Sequence, residues 1–262
     1  MIKACIFDLG GTIVDKYSLS PLLSLQKAFS LKKLYVPNKL IIKDMGKHKF
    51  EHIRELCNEN LINTQFRIHN DRDISTIDME SIFNDFNDIQ IQYMNMYLNI
   101  IPETSSIIHY LRQNDIKVGI TTGFNNVQMN IAVDKLRYNH IIIDSAVSSE
   151  FSSRPLPHMI RKNMNNLQIE DPKQVIKIDD TCVGIQEGIN AGCYTIGVAR
   201  WSVNMDMFSL DTLTKEAFTV SNINHTDIIN HKLIESRRRL KEAGADFVID
   251  TLDELPSIIK TI

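Results

Sequence analysis

Four polar clusters stand behind short apolar runs, and their residue types suit attack on phosphorus. Asp8 follows Ala4-Cys5-Ile6-Phe7, Thr121-Thr122-Gly123 follows Lys117-Val118-Gly119-Ile120, Arg154 comes shortly after Ile141-Ile142-Ile143, and Asp179-Asp180-Thr181 follows Val175-Ile176-Lys177-Ile178. One carboxylate can act as a nucleophile and a second can share a divalent metal with it, while hydroxyls, backbone amides and a cation hold anionic oxygens. Gly10 and Gly11 let the backbone pass close to an anion where a side chain would obstruct it. Taken singly, an Asp behind a strand is most often a helix cap or turn residue. The four clusters together, in this order, point to phosphoryl chemistry.

The runs themselves are rich in β-branched residues and continue with Thr195-Ile196-Gly197-Val198 and Phe247-Val248-Ile249. Continuous apolar strands alternating with helices predict an α/β fold, a parallel sheet covered on both faces. Ligands of such sheets bind at the carboxyl ends of the strands, where all four clusters lie. Residues 15–102 break the rhythm: helices are expected over 20–29, 37–57 and 79–98, with no strand between them. An insertion of this size predicts a helical cap domain, residues 16–102, above a core of residues 1–15 and 103–262. Further helices are expected over 103–113 and 226–243, the second stopped by Gly244 as a left-handed C-cap.

One stretch of the cap has chemistry of its own. In Met45-Gly46-Lys47-His48-Lys49-Phe50-Glu51-His52, the residues Met45, Lys49 and His52 fall at i, i+4 and i+7 and would share a helix face. A thioether, an amine and an imidazole would then point the same way. By itself Lys49 reads as a solvated lysine, and Met45 reads equally well as a core filler.

Composition limits the alternatives. The chain has 262 residues, 43% hydrophobic and 23% charged, enough for a globular protein with a real core. A formal net charge of -3 gives no electrostatic footprint for nucleic acid, and the one dense basic run, Arg237-Arg238-Arg239, is expected to be a solvated helix face. Cys5, Cys57, Cys182 and Cys193 form no Cys-x-x-Cys pair, so neither a zinc knuckle nor a redox motif is written and a reduced, cytoplasmic chain is expected. No apolar stretch approaches the length of a membrane span, so no export or anchoring is expected.

The motifs Asp8-Leu9-Gly10-Gly11-Thr12, Thr121-Thr122-Gly123, Arg154-Pro155 and Asp179-Asp180-Thr181-Cys182-Val183-Gly184 resemble those of the haloacid dehalogenase superfamily. That resemblance implies a Rossmann-like core with a cap inserted after the first motif. Superfamily phosphatases carry a second Asp, a general acid and base, where this chain has Gly10. A hydrogen side chain transfers no proton, so ordinary phosphomonoester hydrolysis by that route is disfavoured.

The cap octapeptide resembles the signature of the phosphonoacetaldehyde hydrolase (phosphonatase) family. The likeness extends over nearly the whole chain, including Gly188-Ile189-Asn190-Ala191-Gly192 and Gly244-Ala245-Asp246-Phe247-Val248-Ile249-Asp250-Thr251. It implies carbon–phosphorus cleavage of a small phosphonate, with Lys49 forming a Schiff base beside Met45, His52 shuttling protons and Asp8 attacking phosphorus. It implies Mg2+ between Asp8, the Gly10 carbonyl and Asp180, with Asp179 coordinating or supporting the ion. Gly11, Thr12, Gly46, Thr121, Thr122, Gly123 and Arg154 would hold the substrate, in an enzyme expected to be a homodimer. A lysine ordinarily near pKa 10.4 is protonated at neutral pH, so Lys49 is expected to be depressed by desolvation.

The chain also departs from that family. Phosphonatases usually have Gly-Asp-Thr in the fourth motif and a further Asp three residues later, where this chain has Asp179-Asp180-Thr181 and Gly184. Phe124 stands for a Tyr, Gly10 for an Ala and Ser18 for a Cys. Two alternatives stay open: a phosphomonoesterase without the usual acid, and a non-catalytic phosphate-sensing or partner-binding relative.

Overall fold

The computed structural model describes residues 1–207 and 225–262; the rest of the expected core domain, 208–224, lies outside the described residues. Six strands, β1 (Ala4–Phe7), β2 (Lys117–Thr121), β3 (Ser145–Val147), β4 (Val175–Asp179), β5 (Tyr194–Val198) and β6 (Phe247–Ile249), form one sheet in the order β3-β2-β1-β4-β5-β6. Every pairing is parallel, with Ala4 opposite Lys117 on one side and Val175 on the other. The α/β expectation holds.

Alternation along β1 divides the core. Cys5 and Phe7 join one apolar cluster with Ile108, Leu111 and Leu136, from α6 (Thr104–Gln113) and α7 (Asn126–Tyr138). Ala4 and Ile6 join another with Ile160 and Met164 of α8 (His158–Asn166). The helices α9 (Cys182–Ala191) and α10 (His225–Glu242) pack on β5, and α11 (Leu255–Ile259) packs on α6. Gly244, at φ 94°, follows α10 as expected of a left-handed C-cap.

Between β1 and α6 lie α1 (Leu19–Leu31), α2 (Asn38–Lys43), α3 (Lys49–Asn58), α4 (Asn60–Asn70) and α5 (Thr76–Tyr97). They surround a separate apolar cluster that includes Leu23, Phe29, Ile53, Phe66 and Phe86. The chain leaves and returns to the sheet side by side: the Asp15 amide donates to the Asn99 carbonyl at 2.8 Å, and the Ile101 amide donates to that of Ile13 at 3.0 Å. The buried Asp15 carboxylate caps α1, accepting from the amides of Leu19 and Ser20, both at 3.0 Å. None of the described helices is long and apolar enough to cross a membrane.

Two sequence expectations need correcting. The third strand is Ser145–Val147, not Ile141–Ile143. The Asp144 amide and carboxylate both bond Val118, each at 2.8 Å, and this starts the ladder at Ser145. Ile141 packs in the core instead, and Ile142 is exposed. The helix expected over 37–57 is broken into α2 and α3, because Gly46 takes a φ of 98° that no helix interior allows. Met45 therefore lies in the turn before Lys49 rather than one helical turn below it.

Candidate active site

Asp8 is placed by the end of β1, its amide donating to the Ile178 carbonyl of β4 at 2.9 Å. Its carboxylate pairs with Arg154 Nη2 at 2.9 Å. Burial raises the Asp8 pKa to about 6; Arg154 opposes the rise and Asp179 adds to it.

Asp179 and Asp180 close β4 and differ in their partners. Asp179 accepts from the Thr181 amide (2.9 Å) and hydroxyl (2.7 Å) and pairs with Lys177 (2.9 Å) and Arg154 (3.4 Å). Burial pushes its carboxyl up, but Lys177 and Arg154 outweigh that and hold it below the usual range. Asp180 has no salt-bridge partner among the described residues; it accepts from the Thr12 hydroxyl at 3.2 Å and the Val203 amide at 3.0 Å. Burial, then the charges of Asp179 and Asp8, drive its pKa well above the carboxylate range. Glycines make room for both: a Cβ on Gly11 would run into the Asp180 carboxylate, and one on Gly184 would overlap the Asp179 carboxyl group.

An oxygen of each of the three aspartates lies within 4.8 Å of the others. Asp8 and Asp179 share Arg154, Asp179 also pairs with Lys177, and Asp180 has no cation beside it among the described residues. The all-oxygen donor set suits a hard divalent cation. The cluster can therefore hold a metal.

Above Asp8 is a small cleft lined by Asp8, Gly10, Met45, Gly46, Lys49, Thr122 and Gly123, together with Ser18, Pro21, Phe124 and Thr181. Lys49 is only 4% exposed. Its amine lies 3.9 Å from the Met45 sulfur and 3.5 Å from the Lys47 carbonyl. Burial lowers its pKa to about 8; Asp8 resists that shift and Arg154 adds to it. The sequence departures at 10 and 18 meet here, since a Cβ on Gly10 would sit 3.0 Å from the Ser18 hydroxyl.

The other expected site residues lie behind the cleft wall. His52 is fully buried, neither ring nitrogen makes a hydrogen bond of good geometry, and burial and then Lys49 hold its pKa well below the ordinary value. Gly11 and Thr12 pack against Asp180. The Thr121 hydroxyl is fully used, donating to Glu187 (3.0 Å) and accepting from Lys177 (2.7 Å) and Arg154 (2.9 Å). Arg154 is also held at Nε by Glu187, at 2.8 Å, yet its buried Nη1 has no hydrogen-bond partner among the described residues.

Lys177 and Glu187 were not anticipated from sequence, although a lysine inside a buried apolar strand was a signal that it must be paired. Also missed was the loop after β5, where the Ser202 hydroxyl (2.7 Å) and Asn204 amide (2.9 Å) hold the Asp180 carbonyl.

Residues 5–198 match the family model described as haloacid dehalogenase-like hydrolase. A phosphonoacetaldehyde hydrolase of Latilactobacillus sakei is 31% identical over 98% of this chain and 95% of its own length. One of Bacteroides fragilis is 29% identical over 100% and 97%. Among solved structures, a phosphonoacetaldehyde hydrolase-like protein from Oleispira antarctica superposes with a TM-score of 0.87 at 26% identity, covering 99% of this chain and 92% of that one. A β-phosphoglucomutase from Clostridium difficile, at 19% identity over 90% and 98% and a TM-score of 0.62, shares the fold. The chain belongs to the haloacid dehalogenase-like hydrolases and, within them, to the phosphonoacetaldehyde hydrolase family.

Proposed function

We propose that this chain hydrolyses the carbon–phosphorus bond of phosphonoacetaldehyde to acetaldehyde and phosphate. The observation that carries the reading is the shared cleft of Asp8 and Lys49, with the amine lowered to about 8. A phosphomonoesterase has no use for such a lysine, and Gly10 offers no acid for an ester oxygen.

Lys49 attacks the aldehyde carbon, and loss of water leaves an iminium conjugated to the carbon–phosphorus bond. Asp8 attacks phosphorus, and the bonding pair flows into the iminium, so the carbon leaves as an enamine instead of a bare carbanion. Water hydrolyses the aspartyl phosphate. The enamine takes a proton at carbon, and a second water releases acetaldehyde from Lys49. Arg154 Nη1, which has no hydrogen-bond partner among the described residues, binds a phosphonyl oxygen with Thr122 and Gly123. Neutral, desolvated His52 beneath Lys49 keeps a proton acceptor near the imine nitrogen.

Magnesium is the cation this reading calls for: Asp8, the Gly10 carbonyl and Asp180 would hold it, with Asp179 in support, and it would offset the charge of carboxylate and phosphonyl oxygens. The reading takes residues 16–102 as the cap and the remainder as the core, in a cytoplasmic homodimer.

Borohydride trapping with phosphonoacetaldehyde, followed by mass mapping, tests the proposal. A reduced adduct on Lys49 is the expected result. An adduct absent from Lys49, or faster turnover of an aryl phosphate ester, overturns it.

Cap and core touch backbone to backbone at this cleft: a Cβ on Gly123 would come within 2.7 Å of the Gly46 carbonyl oxygen and 2.9 Å of that of Lys47. Gly123→Ala must therefore push the cap loop off the phosphonyl site. Steady-state kinetics should show kcat/KM falling about 100-fold, the scale of an ångström-sized misplacement. An unchanged kcat/KM would mean that the two loops need not meet.

A further inference from the structure

We propose that Glu187 and Lys177 are positioning residues that aim Arg154 at the phosphonyl group. This rests on the function proposed above only for the identity of the anion. Both side chains are fully buried, on α9 and β4, and neither lines the cleft. Gly188 brings the two elements together, since a Cβ there would lie 2.8 Å from that of Lys177.

Glu187 Oε2 accepts from Arg154 Nε and from the Thr121 hydroxyl. Thr121 in turn accepts from Arg154 Nη2 with both its hydroxyl (2.9 Å) and its carbonyl (2.7 Å). A guanidinium is planar, so fixing Nε and Nη2 fixes the direction of Nη1. That nitrogen is the unpartnered one, and it faces Gly46 at the cleft: a Cβ there would lie 3.4 Å away.

Without Glu187, the guanidinium has better places to go than the cleft. Asp8 is already on Nη2, and a rotation that offered it two N–H groups would give the bidentate pair and mask the nucleophile. Asp179 draws Arg154 the same way, but Lys177 stands nearer to the same oxygen, at 2.9 Å against 3.4 Å, and offsets most of its charge. Lys177 also bonds the Thr121 hydroxyl, at 2.7 Å. The pair thus keeps Arg154 off the carboxylates and turned toward the anion.

A role through charge alone makes the opposite prediction, which gives the test its sign. Removing the negative charge of Glu187 should strengthen the binding of an anion if charge is all that matters. If it positions Arg154, removing the acceptor should weaken that binding. Glu187→Gln keeps an acceptor oxygen and places its NH2 at Oε1, an atom with no partner to lose. Glu187→Leu removes the same charge and the acceptor as well.

Inorganic phosphate affinity should be measured by calorimetry on the magnesium-loaded protein, with borohydride trapping of Lys49 as the parallel readout. The glutamine variant is expected within about threefold of wild type, and the leucine variant about tenfold or more weaker, with trapping at saturating phosphonoacetaldehyde within about twofold in both. Thr121→Val changes no charge, should give the same loss, and keeps the test decisive if the leucine variant does not fold. Phosphate binding by Glu187→Leu or Thr121→Val as tight as wild type, or equal losses in the glutamine and leucine variants, overturns the proposal. Failure of wild type to trap would instead sink the carbon–phosphorus reading, and the phosphate comparison would still stand.

Discussion

Lys49→Met is expected to stop phosphate release from phosphonoacetaldehyde and to yield a protein that melts several degrees higher than wild type. A thioether forms no imine, so the carbon–phosphorus pair has nowhere to go, and turnover should fall by about 10⁴ or more. The stability gain follows from the same burial that makes the amine useful. Lys49 is 4% exposed, and desolvation takes its pKa from 10.5 to about 8. A displacement of that size costs the folded state roughly 3 kcal/mol at neutral pH, which an apolar side chain of similar length does not incur. Between pH 8 and the ordinary lysine value the unfolded chain still holds a proton that the folded chain has released. Wild type should therefore gain stability relative to the variant as pH rises through that window. The same titration sets the chemistry: only the neutral amine attacks, so borohydride trapping in wild type should rise with pH with a midpoint near 8. Calorimetry and a phosphate assay check both parts. A Lys49→Met protein that keeps more than about a hundredth of wild-type release would remove the amine from the mechanism.

Asp8→Asn should separate the two halves of the reaction. The amide is nearly isosteric but is no nucleophile toward phosphorus, so phosphate release should again fall by about 10⁴. Imine formation does not need Asp8, and the adduct on Lys49 should persist. Arg154 is not stranded by the change, because Glu187 remains at 2.8 Å and Asp179 at 3.4 Å. The carboxylate lost is one that burial has already raised to about 6, so its removal should be mild for the fold. Chelation of divalent cations is expected to copy this phenotype. Loss of trapping along with release would mean that Asp8 supports the imine as well, and the division of labour between core and cap would fail.

The sheet and the placing of its aspartates could be read from the sequence because a strand buried on both faces leaves a continuous apolar run, and Asp8 and Asp179-Asp180 interrupt such runs at their carboxyl ends. The same logic misplaced β3. An apolar run does not say whether its side chains pair in a ladder or merely pack, and Asp144 decided the register instead. The meeting of Lys49 with Met45 at the cleft was legible through its neighbours, but the single helix drawn through Met45, Lys49 and His52 was not correct. Spacing is blind to a backbone sign change, and Gly46 supplies one. Met45 and Lys49 still meet, by a turn. Lys177 and Glu187 were invisible as a pair, since they lie on different elements and only the close approach of α9 to β4 joins them.

Gly184 carries a last consequence, for descent. The fourth motif described for phosphonatases has glycine where this chain has Asp179 and a carboxylate where it has Gly184. Because a Cβ at 184 overlaps the Asp179 carboxyl group, a form bearing both must move that carboxyl off Lys177 and Arg154. A form with glycine at both positions avoids the clash and has one negative charge fewer beside Lys177 and Arg154. Asp179 and Gly184 thus change together: with Asp179 in place, any side chain at 184 disturbs the carboxylate that Lys177 and Arg154 hold.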